Sequence, residues 1–298
     1  MTGWPLEVLP LDRIRVRMAH AVTGVLGAND PQSAFGALRA GDSGEPWYPA
    51  DSPVRLVHGD IAMLIGGIRA LLVQSLHPVA MQAVEEHSGY HSDPWGRLQR
   101  TAAFIAITTF GSCHQALDAI ARVRRIHDHV SGVTPAGDPY RASDPHLLGW
   151  VHVAEAESFL TAHRLYGHQS LGARDADLYV ADLARVGTAL GVLEPPRNVD
   201  QLRRQFDSFR PELRGGGQAR AATSLLLWHP PLTGAVRAGY RLLAAGAIAS
   251  LPPWVRQELG LPSLPIMDRA LLRPVARTLL ASLDRGFAVT FSNRPAAA

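Results

Sequence analysis

The chain has 298 residues, 47% of them hydrophobic and 18% charged, with 29 basic against 26 acidic side chains and a formal charge of +3, so a substantial buried core is expected and disorder is not. Every basic residue is an arginine, which excludes Schiff-base and pyridoxal-phosphate chemistry and the Gly-Lys-Ser/Thr phosphate loop, all of which need a lysine amine. Arginine forks that grip carboxylates or phosphates remain available, although an arginine-biased genome explains the same composition.

At the amino end, Met1-Thr2-Gly3-Trp4-Pro5 lacks the basic stretch and apolar run of a secretory signal, and no segment supplies 18 uninterrupted apolar residues. A cytoplasmic chain without a membrane span is expected. Helical periodicity dominates and alternating β-branched runs are nearly absent, so the class is all-α. The pattern predicts helices over 11–27, 58–76, 94–112, 113–131, 144–168, 174–190, 199–209, 218–228, 233–250 and 264–285, arranged as one domain over 1–298 with the first 50 residues wrapping around the core. Ser92-Asp93-Pro94 and Ser143-Asp144-Pro145 each set a capping side chain before a proline at the first helical position, where its missing N–H costs nothing. Gly- and Pro-rich stretches at 41–53, 132–139, 193–197, 211–217 and 260–265 read as loops, and there is no internal repeat.

Within 58–76 the pair Gly66-Gly67 interrupts an apolar helix, at a cost of roughly 1 kcal/mol per glycine. Something must press close to the backbone there, either a flat cofactor or a neighbouring helix. Leu76-His77-Pro78 then ends the helix and presents an imidazole at its C-terminus. On 94–112, Arg97, Thr101, Phe104, Thr108 and Gly111 recur at spacings of four, three, four and three, which sets an arginine and a hydroxyl at one end of an apolar face. In a water-poor pocket such a pair holds and polarises a bound oxygen species. A helix-start salt bridge, with the threonine bonding back to the backbone, explains it equally well.

Seven of the thirteen histidines, His58, His77, His87, His91, His114, His127 and His129, fall within one quarter of the chain. On 113–131, Ala116, Ile120, Val123, His127 and Val130 share a face, so His127 lies on the buried stripe while Asp118, Arg122, Arg125 and His129 lie on the solvated one. A buried imidazole must bond a neighbour or bind something, since an unpaired buried polar group costs about 1–3 kcal/mol. From the phasing alone both remain open for His127. Cys113, the single cysteine, excludes a disulfide and any multi-cysteine metal centre, and its neighbours Thr109 and Ala116 suggest a buried thiol. The helices at 218–250 would wall a hydrophobic channel, fill a core or form a dimer face. The apolar run Leu242 to Val255, broken by Pro252-Pro253, leaves a peripheral membrane contact open.

The run Gly66-Gly67-Ile68-Arg69-Ala70-Leu71-Leu72, then Leu76-His77-Pro78, His87-Ser88, Asp93-Pro94-Trp95-Gly96-Arg97-Leu98-Gln99-Arg100-Thr101 and Val123-Arg124-Arg125-Ile126-His127 resembles the family that joins latex-clearing rubber oxygenases to the MpaB oxygenase. Tyr140 to Pro145, Trp150-Val151-His152 and Leu251-Pro252-Pro253-Trp254 continue the match, over about residues 50–265. The resemblance implies a globin-like helical domain, with additional N- and C-terminal helices, that binds one haem b with His127 as axial iron ligand. It makes Gly66, Gly67, His77 and Arg124 candidate cofactor contacts, Arg124 as a propionate partner, with an ordinary surface arginine as the alternative.

The family's distal Arg-x-x-Lys-Thr segment reads Arg97-Leu98-Gln99-Arg100-Thr101 here, making Arg97, Arg100 and Thr101 the candidate catalytic residues. Arg100 departs from the pattern, because a guanidinium cannot lose its proton and cannot ligate iron as a lysine amine does. Glu85 and Glu86 lie in the region of the family's glutamate base without an alignable motif. The function so implied is a haem-dependent oxidoreductase or oxygenase acting on a small or lipophilic organic substrate with dioxygen. The alternatives are a non-catalytic haem protein and a His-Asp metal phosphohydrolase built on His87 or His91 with His127-Asp128. Nucleic acid is not an expected partner, since the arginines are scattered and form no basic stripe.

Overall fold

A computed structural model of the chain describes residues 44–87, 93–230 and 232–292. The helix expected over 11–27 and nearly all of the N-terminal wrap lie outside the described residues. The fold is all-α. In chain order the elements are α1 (Pro53–Gly59), α2 (Met63–Gln74), α3 (Pro78–His87), α4 (Pro94–Phe110), α5 (Cys113–Asp128), a hairpin of β1 (Ser131–Val133) and β2 (Pro139–Arg141), α6 (Pro145–Tyr166), α7 (Ala173–Leu190) and α8 (Val199–Ser208). A 3-10 turn (Arg210–Glu212), α9 (Gly217–Trp228), α10 (Gly234–Ser250), α11 (Pro253–Leu259), α12 (Pro265–Met267), a π-helical stretch (Asp268–Leu272) and α13 (Arg273–Ser292) complete it.

Local chemistry explains most of these boundaries. Asp93 accepts from the Gly96 amide and Asp144 from the His146 amide, each at 2.8 Å, at the two proline-led starts. Ser112 and Gln115 close a capping box at the start of α5. The helix expected over 58–76 is instead two. Asp60 Oδ1 accepts from the Ala62 amide at 2.8 Å, a local turn that competes with the helix, and α1 and α2 meet at a bend of 92°. No single helix among the described residues is long and apolar enough to cross a membrane.

Two short helices fall where the sequence reading has none. Pro78 and Pro253 do not merely stop the preceding segments; they occupy the first turns of α3 and α11, where proline is tolerated. The stretch expected to be loop at 132–139 forms the hairpin, with Gly132 opposite Tyr140 and Gly137 in its turn at φ 93°. Cys113 is exposed, not buried. It opens the first turn of α5, and the buried stripe begins one turn later at Ala116 and Ile120.

The core is built around α2, whose pairing with α6 is the most extensive between any two elements. Buried side chains from Trp47 to Leu280 form one cluster across it. Arg69 of α2 is fully buried and pairs with Glu157, while its Nη1 donates to Ser158 Oγ at 2.7 Å, both on α6. Gly66 explains the approach: a Cβ there would meet Phe159 Cδ1 at 3.0 Å and Ala162 Cβ at 3.3 Å. What presses on the backbone at Gly66 is therefore the neighbouring helix and not a flat cofactor.

Gly67, one residue on, has nothing within 4 Å of such a Cβ. The two glycines should separate cleanly in denaturant unfolding. Gly66→Ala is expected to cost about 1–3 kcal/mol through overpacking against α6. Gly67→Ala should gain up to about 1 kcal/mol from helix propensity.

Candidate functional site

The apolar stripes of α4 and α5 do not close on one another. They face a cavity of about 620 Å³, within the range of roughly 300–1,000 Å³ usual for small-molecule and cofactor sites. α4 contributes Arg97, Thr101, Phe104 and Thr108, and α5 with its end contributes Val123, Ile126, His127 and Val130. The middle of α6 adds Val151, His152, Glu155 and Phe159, and α2, α3, α7 and α9 complete an otherwise mainly aliphatic wall. A second space of about 250 Å³ adjoins it, sharing His58, Trp95, Thr101, Glu155 and Phe159 as lining and reaching Gly67 and Leu243.

Four imidazoles of the described residues line the larger cavity, those of His58, His87, His127 and His152, and only His58 is satisfied by the protein at both nitrogens. His58 Nδ1 lies 2.8 Å from Thr109 Oγ1 and Nε2 lies 3.2 Å from the Tyr179 hydroxyl, so it is a core histidine. His127 Nδ1 and His152 Nε2 are buried without a hydrogen-bond partner. Burial lowers the pKa of both rings, that of His152 to about 4, which keeps them neutral at pH 7, the form that binds a metal. The nearby Asp128 carboxylate only partly offsets the effect at His127.

Among the described residues, Glu155 is the acid that lines the cavity. Burial raises its pKa to about 7 against the opposing pull of a hydrogen bond from Gln74 and the positive charge of Arg97. The exposure it retains is to the two cavities it lines. A carboxyl poised near neutrality in a mainly apolar pocket can give or take a proton at physiological pH. Sequence reading passes over it, yet a signal exists: His152, Glu155 and Phe159 recur at spacings of three and four on α6, the same test that isolated the faces of α4 and α5.

The chain matches the family model described as "ER-bound oxygenase mpaB/B'/Rubber oxygenase, catalytic domain" over residues 55–281, about three quarters of its length. It belongs to the MpaB/rubber oxygenase family. The match runs past the end of the sequence resemblance and into α13. No curated protein and no solved structure gives a significant match.

The family's distal segment, read here as Arg97 to Thr101, lies on the first two turns of α4. Arg97 and Thr101 both line the cavity, with the Thr101 hydroxyl donating to the Arg97 carbonyl at 3.2 Å. Arg100 stands at the rim, exposed, where it pairs with Asp93 at 3.4 Å. Arg124 is exposed and reaches away, donating to the Ala189 carbonyl at 3.3 Å, so it is not brought to the cavity.

Gly66 is taken up by α6, and Gly67 faces the smaller space only. His77 is buried beside His146, Trp150 and Glu212, outside the cavity lining. Neither acid proposed near the family's base lines the cavity: Glu86 is exposed and accepts from the Tyr140 hydroxyl, and Glu85 lies beside it on α3. The His-Asp arrangement is not formed among the described residues, outside which His91 lies. Asp128 and His129 are exposed, and among the described residues neither His87 nor His127 belongs to a group able to hold a metal.

Proposed function

We propose that this oxygenase-family chain is a haem b-dependent oxidoreductase that oxidises a small or lipophilic organic substrate with dioxygen, His127 being the residue that holds the iron. The observation that carries the reading is His127 itself: a neutral imidazole, uncommitted to any protein partner through its buried Nδ1, on the wall of an apolar cavity large enough for a cofactor. Sequence resemblance puts the family's axial histidine at the same residue. Bound there, the haem would supply the redox centre at which dioxygen is activated.

The chain's own residues supply the rest. Arg97 carries a permanent charge into the cavity, and in a low-dielectric site a fixed guanidinium stabilises developing negative charge far better than it would in water. Thr101, on the next turn, adds a hydroxyl whose lone pairs remain free to accept while its proton is held by the Arg97 carbonyl. Glu155, its pKa raised by burial to about 7, lines both spaces, where it would exchange a proton with a bound substrate near neutral pH. The aliphatic lining excludes water and selects an apolar ligand. Arg100 also lines the cavity, but its exposed side chain pairs with Asp93, and a guanidinium that keeps its proton does not ligate iron.

A visible absorption spectrum of the purified protein tests the reading. A Soret band, native or after haem reconstitution, is expected, together with dioxygen uptake in the presence of a reductant and an apolar substrate panel. Absence of the band overturns it, and a band without uptake leaves the non-catalytic haem protein.

A further inference from the structure

Outside the cavity, three metal-ligating side chains from distant parts of the chain converge. His77 lies between α2 and α3, His146 in the first turn of α6, and Glu212 closes the 3-10 turn after α8, and one ligand atom of each falls within 4.8 Å of the others. His146 Nε2 stands 2.8 Å from Glu212 Oε2 and 3.0 Å from Oε1. His77 Nε2 stands 3.4 Å from the same Oε2. Donors at roughly 2.0–2.2 Å from a tetrahedral zinc stand about 3.3–3.6 Å apart; the His77–Glu212 separation matches this, and the hydrogen-bonded His146–Glu212 pair would open by about half an ångström to admit an ion.

We propose that His77, His146 and Glu212 form a divalent transition-metal site, of zinc type, that clamps the start of α6 and the start of α3 to the turn after α8. His77 points to a ligand beyond the other two. Its ring is 3% exposed, and its Nε2, turned toward Glu212, is buried and makes no hydrogen bond. Glu212 Oε2 has lone pairs to spare, but at 3.4 Å it lies beyond the roughly 2.7–3.2 Å of an N–H···O hydrogen bond, so it faces the nitrogen without satisfying it. An ion between the three would take up the orphaned nitrogen, the second imidazole and the carboxylate together.

Two imidazoles and one carboxylate select zinc, cobalt or nickel over magnesium or calcium. The half-exposed His146 and Glu212 open the site to solvent, so ions enter directly and a fourth position goes to water. Ligation through Nε2 moves the His77 proton to Nδ1 and releases its long 3.4 Å contact from the Ala80 amide, which makes the site weaker than a closed structural one. The effect is a brace: α3 and α6 both wall the cavity, and the clamp fixes one against the other. It owes nothing to what binds at His127.

The test uses the full chain without a polyhistidine tag, in whatever haem state it is isolated. Titration with zinc by calorimetry should give one equivalent bound, with a thermal midpoint that rises as free zinc rises. His146→Ala and Glu212→Gln alter exposed side chains that the fold tolerates, and each should weaken binding at least tenfold and cancel the thermal shift, whereas His127→Ala should leave both unchanged. No stoichiometric binding by the unaltered chain overturns the proposal, and so does binding that survives His146→Ala and Glu212→Gln.

Discussion

His127→Ala is expected to emerge from haem reconstitution without a Soret band, while His152→Ala keeps it. Both imidazoles line the same cavity with a buried, unbonded nitrogen, so the pair forms an internal control for which one takes the iron. Outer partners of a metal ligand are worth roughly 10–100-fold in affinity or activity, so loss of the ligand itself should exceed about 100-fold in substrate-dependent dioxygen uptake.

Folding should be nearly untouched, because the substitution removes a polar group that the protein leaves unpaired and enlarges a cavity already present. A shift of a few degrees at most in the thermal midpoint of the apoprotein is expected, since about 1 kcal/mol corresponds to some 2–4 °C in a chain of this size. The inverse pattern, with the band lost only in His152→Ala, would move the iron to His152 and leave the oxidoreductase reading standing. Retention of the band in both variants would detach the haem from this cavity.

Glu155→Gln is expected to change the pH dependence of both stability and turnover. The sign follows from the folded carboxyl titrating near pH 7, above its usual value of 4.5. Below pH 4.5 both folded and unfolded chains hold the proton and there is no cost. As pH rises through 4.5 to 7 the unfolded chain releases it first, so stability falls. Above pH 7 the ionised group sits in the apolar cavity at a cost on the order of 3 kcal/mol.

His152, pulled down to about pH 4 by burial, contributes the opposite slope, its stability being lost as pH falls from 6.5 through 4. The two oppose one another between pH 4.5 and 6.5, and His58, lowered by burial to about 3, adds a slope of the same sign as His152, so the wild-type profile does not display Glu155 by itself. The difference between wild type and Glu155→Gln isolates the acid. It should be near zero at pH 4 and reach about 3 kcal/mol in favour of the variant at pH 8, by urea unfolding. A pH-independent difference would deny that Glu155 is buried as described. In turnover, the limb with an apparent pKa near 7 should vanish while the Soret band stays. The activity lost should be roughly 100-fold or more, as for other proton-transferring side chains.

The helical class, the order of the long helices and the inward faces of α4 and α5 were legible because a 3.6-residue period records which residues meet the interior whatever the interior contains. Phasing of α5 alone put His127 on a buried stripe, and the run of motifs from Gly66 to Trp254 pointed to the family. The capping aspartates marked two helix starts because their hydrogen bonds are local. Proline misled in the other direction: Pro78 and Pro253 stop one helix and start the next, and only the second effect reveals α3 and α11.

What periodicity does not record is what a buried face looks at. Gly66 and Gly67 are adjacent and alike in sequence, yet one is filled by Phe159 and Ala162 while the other opens on empty space. Arg97 and Arg100 sit three residues apart on α4 and both line the cavity, yet the first is half-buried while the second is exposed and turns to Asp93. The convergence of Glu155 with Arg97 and Gln74, and of His77 with His146 and Glu212, joins segments that share no local pattern. Residue types and their spacing thus determined the helices, the family and the candidate ligand His127. The cavity, the acid that faces it and the second cluster of ligands were decided by helix packing, because distances between segments far apart in the chain are set only when the helices close around α2.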